Sequence, residues 1–321
     1  MRYIKNKIFA VLMIMIFACN IIFALTSCMS TEAEYNNNGD DGGKLKITAT
    51  LFPQYDFARQ IAGDKANIKL LLPPGVESHT YDPKPSDILD IYNADLFIYT
   101  GENMEPWAET IIKGVTNNNL VIVDCSKNIE LIQDNNEAEK DHEHEHGADP
   151  HIWLDPTLAI KMVENIADAL CEKDPENAEF YSQNAENYIN RLKELDDDIF
   201  EVIDNAKRNI IVFGGRFSYI YFLRRYNLDY VTAYDSCSTN AEPSMAKILY
   251  VVNFMTENNI PCVYYEELSA HQVAKAIAKE TGRKSYLFST AHNVTKSEFD
   301  GGITFLDIMY KNIENLKKGL N

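Results

Sequence analysis

From residue 44 onward, short apolar stretches alternate with amphipathic ones. The segment 44–51 (KLKITATL) alternates and is rich in β-formers, which predicts a strand. Pro53 predicts a turn, and 55–62 carries helical spacing closed by Gly63. Further strands are predicted at 68–72, 96–99 and 121–123, and helices at 85–93, 105–113 and 158–172. In 174–207, Ala178, Tyr181, Ala185, Tyr188, Leu192, Leu195, Ile199, Val202 and Ala206 recur at helical spacing with no glycine. Pro175 is its sole proline and stands at the start, where a helix tolerates it. Unbroken, such a helix reaches about 51 Å at 1.5 Å per residue, longer than one small lobe needs. It reads as a stiff connector, because a helical hairpin would want a Gly or Pro break midway. Beyond it, strands are predicted at 209–213, 230–234, 262–265 and 285–288, and helices at 217–226, 244–258, 271–281 and 304–320. This rhythm predicts an α/β chain of two lobes, 44–173 and 208–321, each a mainly parallel sheet flanked by helices.

Two segments break the rhythm. Residues 134–149 (DNNEAEKDHEHEHGAD) have no apolar periodicity and mix acids with His142, His144 and His146, so they read as a solvated loop. At the N-terminus, Arg2, Lys5 and Lys7 precede an almost wholly apolar run over 8–18, the order of a secretory signal. Asn20 interrupts the run before the ~20 apolar residues that a membrane anchor needs. Leu25-Thr26-Ser27-Cys28 is similar to a bacterial lipobox, which implies removal of 1–27 and a lipid on Cys28. Residues 28–43 then form a polar, flexible tether. The expected location is the extracytoplasmic face of the cell membrane, held by the lipid.

Composition narrows the partners. Of 321 residues, 45% are hydrophobic and 24% charged, which excludes a disordered chain. Acids number 48 against 30 bases, so the net charge of −18 repels phosphate backbones and argues against nucleic acid. Cys125, Cys171, Cys237 and Cys262 form no CxxC pair, which speaks against a four-thiolate zinc knuckle.

The chemistry gathers on histidine. His79 lies in LPPGVESHTYDP (72–83) just after a predicted strand, and His151 in DPHIWLDP (149–156) just before a predicted helix. Both loops carry prolines that restrict their backbones, and loops at strand ends are where open α/β sheets bind ligands. Taken singly, each histidine is better explained by an ordinary hydrogen-bonding role.

These two motifs, together with LFPQYD (51–56) and YTGENMEPW (99–107), resemble the zinc- and manganese-binding solute-binding lipoproteins of bacterial ABC importers. The resemblance runs from about residue 44 to the C-terminus. It implies a metal cleft between two lobes joined by one long rigid helix, here 174–207. It implies Zn²⁺ or Mn²⁺ as bound cargo, with His79 and His151 as first-lobe ligands. The family's usual second-lobe ligands are absent: Gly214 stands where a His or Glu is usual, and FSTAHNV (288–294), in the loop before the last helix, holds His292 with no Asp near the expected place. His292 is the favoured replacement. Glu266 is a ligand candidate, or an acceptor for an imidazole N–H. Cys237 and Glu242 are further candidates, and a Cys ligand would favour zinc. His142, His144 and His146 form a possible accessory metal-handling loop, as dispensable as any solvated one.

The resulting expectation is a monomeric, non-enzymatic capture protein that passes zinc, or failing that manganese, to a membrane permease. A surface adhesin is one alternative. A zinc hydrolase is the other, opposed by the absence of a Gly-x-Ser-x-Gly motif and because the HExxH string at His142 to His146 falls in a predicted solvated loop, not on a helix.

Overall fold

The computed structural model describes residues 43–133, 148–234, 242–268 and 271–321. The signal segment, Cys28, the tether up to residue 42, His142, His144, His146 and Cys237 lie outside the described residues.

In the first lobe, β1 (Leu45–Ala49), β2 (Ala66–Leu70), β3 (Leu96–Tyr99) and β4 (Val121–Asp124) pair in parallel in the order β2-β1-β3-β4. Parallel neighbours need crossovers. Here α1 (Phe52–Ala62), α2 (Pro85–Tyr92) and α3 (Pro106–Gly114) supply them, and α4 (Pro156–Lys173) follows β4. All of β3 is buried, as expected of a strand covered on both faces. After α5 (Ala178–Asp204), the second lobe repeats the plan. Its strands β5 (Ile210–Phe213), β6 (Asp229–Thr232), β7 (Cys262–Tyr265) and β8 (Lys284–Leu287) run parallel in the order β6-β5-β7-β8. Its helices are α6 (Ile220–Arg225), α7 (Met245–Glu257), α8 (Gln272–Thr281), α9 (Lys296–Asp300) and α10 (Phe305–Leu320).

Each sheet therefore reverses its strand order once, between β1 and β3 and between β5 and β7. Ligands of open α/β sheets bind beyond the carboxyl ends of strands at such points. The segments carrying His79, His151 and His292 leave the carboxyl ends of β2, β4 and β8.

Helix α5 is continuous over 27 residues, about 40 Å at 1.5 Å per residue. It buries Tyr181, Ala185, Tyr188, Leu192, Leu195, Ile199 and Val202 along one face. That face packs against α1 and α4 of the first lobe and α10 of the second. One hydrophobic core runs through both lobes, from Ile47 to Leu320. At the junction, the fully buried Asp56 carboxylate of α1 accepts from Arg59 Nη2 (2.6 Å), Phe305 N (2.8 Å) and Tyr188 OH (3.4 Å). A single carboxylate thus ties α1, α5 and α10, and it caps an orphan N–H at the start of α10.

Several boundaries differ from the sequence expectation. Pro53 does not start a turn: it occupies the first turn of α1, where its missing N–H has no intrahelical partner to lose. Pro175 sits in a 3-10 turn (Pro175–Asn177) ahead of α5, where Asp174 accepts from Tyr181 OH at 2.7 Å. Helix α9 was not anticipated, although Thr295 and Glu298 form the reciprocal capping box that starts it. Cys125 and Cys262 are buried free thiols, and Cys171 is a half-buried one.

Candidate metal centre

The His79 loop leaves β2 through Pro73, Pro74 and Gly75. Gly75 adopts φ +84°, a turn conformation that other residues rarely take, and its N–H donates to Val294 O at 2.8 Å. The Asn293 side-chain amide donates to Pro73 O (2.8 Å) and Val76 O (2.9 Å). The loops bearing His79 and His292 are thus bonded directly across the lobes. His151 lies immediately before a 3-10 turn, Ile152–Leu154, after which Asp155 caps α4 by accepting from Thr157 N at 2.8 Å. Trp153 of that turn donates from Nε1 to Thr290 O at 2.7 Å and packs edge-on against both His151 and His292. Asn312 of α10 holds the His292 loop at Ser289, donating to its carbonyl and accepting from its N–H at 2.7 Å each. Ala291, at φ +59°, turns the chain so that His292 follows inward. For alanine that conformation costs about 1–2 kcal/mol, strain that the surrounding bonds hold.

His79, His151 and His292 meet at the centre. Ring centroids are 5.6 Å apart for His79–His151, 4.9 Å for His79–His292 and 4.7 Å for His151–His292. One ring nitrogen from each lies within 4.8 Å of the other two. In tetrahedral zinc with bonds of 2.0–2.1 Å, ligand nitrogens stand about 3.3 Å apart, so a small inward movement closes the triangle. All three Nε2 atoms are buried without a hydrogen-bond partner.

The outer nitrogens fix two of the tautomers. His151 Nδ1 faces Asp149 Oδ1 at 2.8 Å, and the same oxygen accepts the His151 backbone N–H at 2.9 Å. Burial pushes the Asp149 carboxyl up, but its bonds to His151 prevail and leave it below the usual range. As an ionised acceptor it requires the proton on Nδ1 and leaves the Nε2 lone pair free. His292 Nδ1 bonds the Thr290 hydroxyl, which donates to Glu267 Oε1 at 2.5 Å. That hydroxyl has one proton and gives it to the carboxylate, so it accepts from Nδ1. Burial drives the His79 imidazole down to about 2, helped by its two neighbouring histidines and Arg216, and burial likewise lowers His292. Both are held neutral, the form that ligates metal.

Of the predicted residues, the structure brings together His79, His151 and His292 and leaves Glu266 outside that group. The Glu266 carboxylate turns to Arg216, accepting from its backbone N–H at 3.1 Å. Glu242 is exposed and also outside the group, and the His271 ring lies tilted against Tyr265 with centroids 4.1 Å apart. The carboxylate that orients an imidazole, expected at Glu266, is Glu267, the next residue, which acts through the Thr290 hydroxyl and which sequence reasoning missed. Its oxygens accept from Thr290 N (2.7 Å) and His292 N (3.1 Å) as well as from the Thr290 hydroxyl.

Position 214 has no room for a ligand. A Cβ there would stand 2.8 Å from Ala274 Cα and 2.9 Å from Val263 Cγ2, and a Cβ on Gly215 would stand 1.7 Å from Glu266 Oε2. The two glycines let α8 and Glu266 occupy the space beside the end of β5. A pocket of ≈ 30 Å³ remains, and its lining includes Glu77, His79, Arg216, Glu266, Glu267 and His292.

Comparison with known proteins gives the lineage. Over 312 residues the chain is 35% identical to the high-affinity zinc uptake system protein ZnuA of Bacillus subtilis, covering 94% of this chain and 95% of that one. It is 33% identical to the zinc-binding lipoprotein AdcA of Streptococcus pneumoniae, covering 88% of this chain but 57% of that longer protein. The crystal structure of the Zn(II)-bound ZnuA-like domain of Streptococcus pneumoniae AdcA superposes with a TM-score of 0.74 at 31% identity, covering 87% of this chain and 99% of that one. These relatives are solute-binding proteins, not enzymes, which removes the hydrolase alternative. Residues 47–319 match the family described as zinc-uptake complex component A, periplasmic, and the chain belongs to that family.

Proposed function

We propose that this protein captures zinc, in preference to manganese, outside the cytoplasm and delivers it to the permease of an ABC importer. The observation that carries this reading is the convergence of three buried, unpartnered Nε2 atoms. Each buried ring nitrogen without a partner costs about 1–3 kcal/mol, which a bound cation would offset. A set of imidazoles suits zinc, whereas manganese favours carboxylate and water. The names of the relatives, which refer to zinc uptake and zinc binding, support the same choice. All three donors come from one chain, so a monomer suffices. Anchoring through Cys28 fits the lipoprotein named among the relatives. His142, His144 and His146 would gather metal loosely and remain dispensable for the buried centre.

The test is a competitive chelator titration with Zn²⁺ and with Mn²⁺. The expected result is one tightly held zinc per chain, with manganese bound more weakly. His79→Ala, His151→Ala and His292→Ala should each weaken zinc by more than the roughly 10–100-fold that loss of an outer-shell partner costs. A wild type that takes up no stoichiometric zinc, or three variants that bind like it, would refute the reading.

A further inference from the structure

Three imidazoles fill three positions of a tetrahedral shell, and the fourth has no obvious donor. Three carboxylates line the pocket: Glu77, Glu266 and Glu267. Glu267 is committed to the second lobe, where Thr290 N, the Thr290 hydroxyl and His292 N take its oxygens. Glu266 is wedged against Gly215, and its Oε2 is held by the Arg216 backbone N–H at 3.1 Å. Glu77 is the least committed. It sits two residues before His79 on an irregular loop, and its side chain is 33% exposed. Its Oε1 takes a long 3.3 Å bond from His79 N, and its Oε2 accepts from Arg216 Nη1 at 3.1 Å.

Arg216 is an unexpected lining for a cation pocket. It reaches from the loop after β5 to Glu77 of the first lobe while standing 3.7 Å from Glu266 Oε1. A guanidinium in that place holds carboxylates that would otherwise repel one another. It also carries the same sign as the cargo. A dication arriving at the three Nε2 atoms repels the guanidinium and attracts the nearest mobile carboxylate. Glu77 lines the same pocket as His79 and His292 while lying outside the cluster of the three imidazoles, so its carboxylate must leave Arg216 to reach the metal.

Building on the zinc-capture reading, we propose that Glu77 is the fourth ligand and that Arg216 is its counter-ion in the metal-free protein, displaced when metal binds. The exchange breaks the Glu77–Arg216 ion pair and forms one carboxylate–metal bond. Arg216 keeps Glu266 as its partner, so no charge is left alone.

Two measurements test this on the full chain, both with added metal alone: zinc affinity by chelator competition, and the visible spectrum of the Co²⁺-loaded protein. Glu77→Gln should weaken zinc by more than the roughly 10–100-fold that loss of an outer-shell partner costs, and shift the cobalt bands, because water replaces the carboxylate. Arg216→Gln should tighten zinc several-fold, since Glu77 then has no competing partner. Glu266→Gln should leave the cobalt bands in place. The proposal falls if Glu77→Gln leaves the cobalt spectrum unchanged, or if Glu266→Gln shifts it instead. It also falls if Arg216→Gln weakens zinc as much as Glu77→Gln does, since the pair would then be a structural strap. A wild type that binds neither metal would sink the capture reading itself. A wild type that binds metal while the Glu77 variant matches it would sink this inference alone.

Discussion

Replacing Glu267 perturbs the centre without touching a proposed ligand. Its side chain is only 13% exposed, and three protein donors converge on it: Thr290 N, the Thr290 hydroxyl and His292 N. Alanine strands those donors, and leaving a buried donor unsatisfied costs about 1–3 kcal/mol. Water can enter the vacated space from the pocket, so the low end applies and the total is about 3 kcal/mol. In the metal-free protein that lowers the melting temperature by about 6–12 °C. Glu267→Gln keeps the volume but points an NH₂ at one of the N–H donors, so it should lose part of the same stability. Alanine releases the Thr290 hydroxyl from its fixed donor role, and glutamine, with one acceptor oxygen where two served three donors, weakens that role. The Nδ1 tautomer of His292 is then no longer enforced, and zinc affinity should fall about 10–100-fold. The assay pairs calorimetry of metal-free protein with chelator competition for zinc. If Glu267→Gln melts within about 2 °C of wild type and binds zinc within about threefold, well below the expected effects, the relay through Thr290 has no role in the site.

Acid should destabilise the metal-free protein. The His79 imidazole sits near 2 in the fold and at about 6.5 when unfolded, so between those values the unfolded chain binds the extra proton. The stability is complete above about pH 6.5 and falls by up to about 1.4 kcal/mol per pH unit below it. Melting curves at pH 7.5 and 5.0 should show this loss, smaller in His79→Ala; an equal slope in that variant would refute it. Asp56→Ala should cost about 2–3 kcal/mol in urea unfolding, because Phe305 N loses its acceptor while the part-exposed Arg59 can turn to water. Asp56→Asn, which keeps an acceptor oxygen, should cost less, and identical midpoints for all three proteins would show that the junction carries no load.

The alternation of strands and helices was legible because each lobe is built from parallel crossovers. Buried strands such as Leu96–Tyr99 read as continuous apolar runs, and helices such as Ala178–Asp204 carry a clean apolar stripe. Sequence misjudged the places where local chemistry competes with pattern. Proline signals a turn and also fits a first helical turn, and at Pro53 the second use holds. The five-residue helix Lys296–Asp300 is too short for periodicity to reveal, and only its Thr295–Glu298 capping box announces it.

The site shows a different limit. Motif spacing could nominate His79 and His151, because each sits in a long proline-flanked motif. It could not decide between Glu266 and Glu267, since adjacent residues leaving a strand face opposite sides and the choice depends on where β7 ends. Nor could it say what a glycine at 214 means. In the fold, the ends of β5, β7 and β8 lie side by side in the order β6-β5-β7-β8. Gly214 packs against α8, Glu266 fills the space beside Gly215, and the imidazole comes from the far end of the row, at His292. Strand ends that open on the same pocket can each supply a donor. Bringing an imidazole in from this end makes particular demands of the His292 loop. It must pass through a strained Ala291, be pinned by Asn312, and be oriented by Thr290 and Glu267. Those demands are set by tertiary contacts between distant segments, which no local pattern in the sequence expresses.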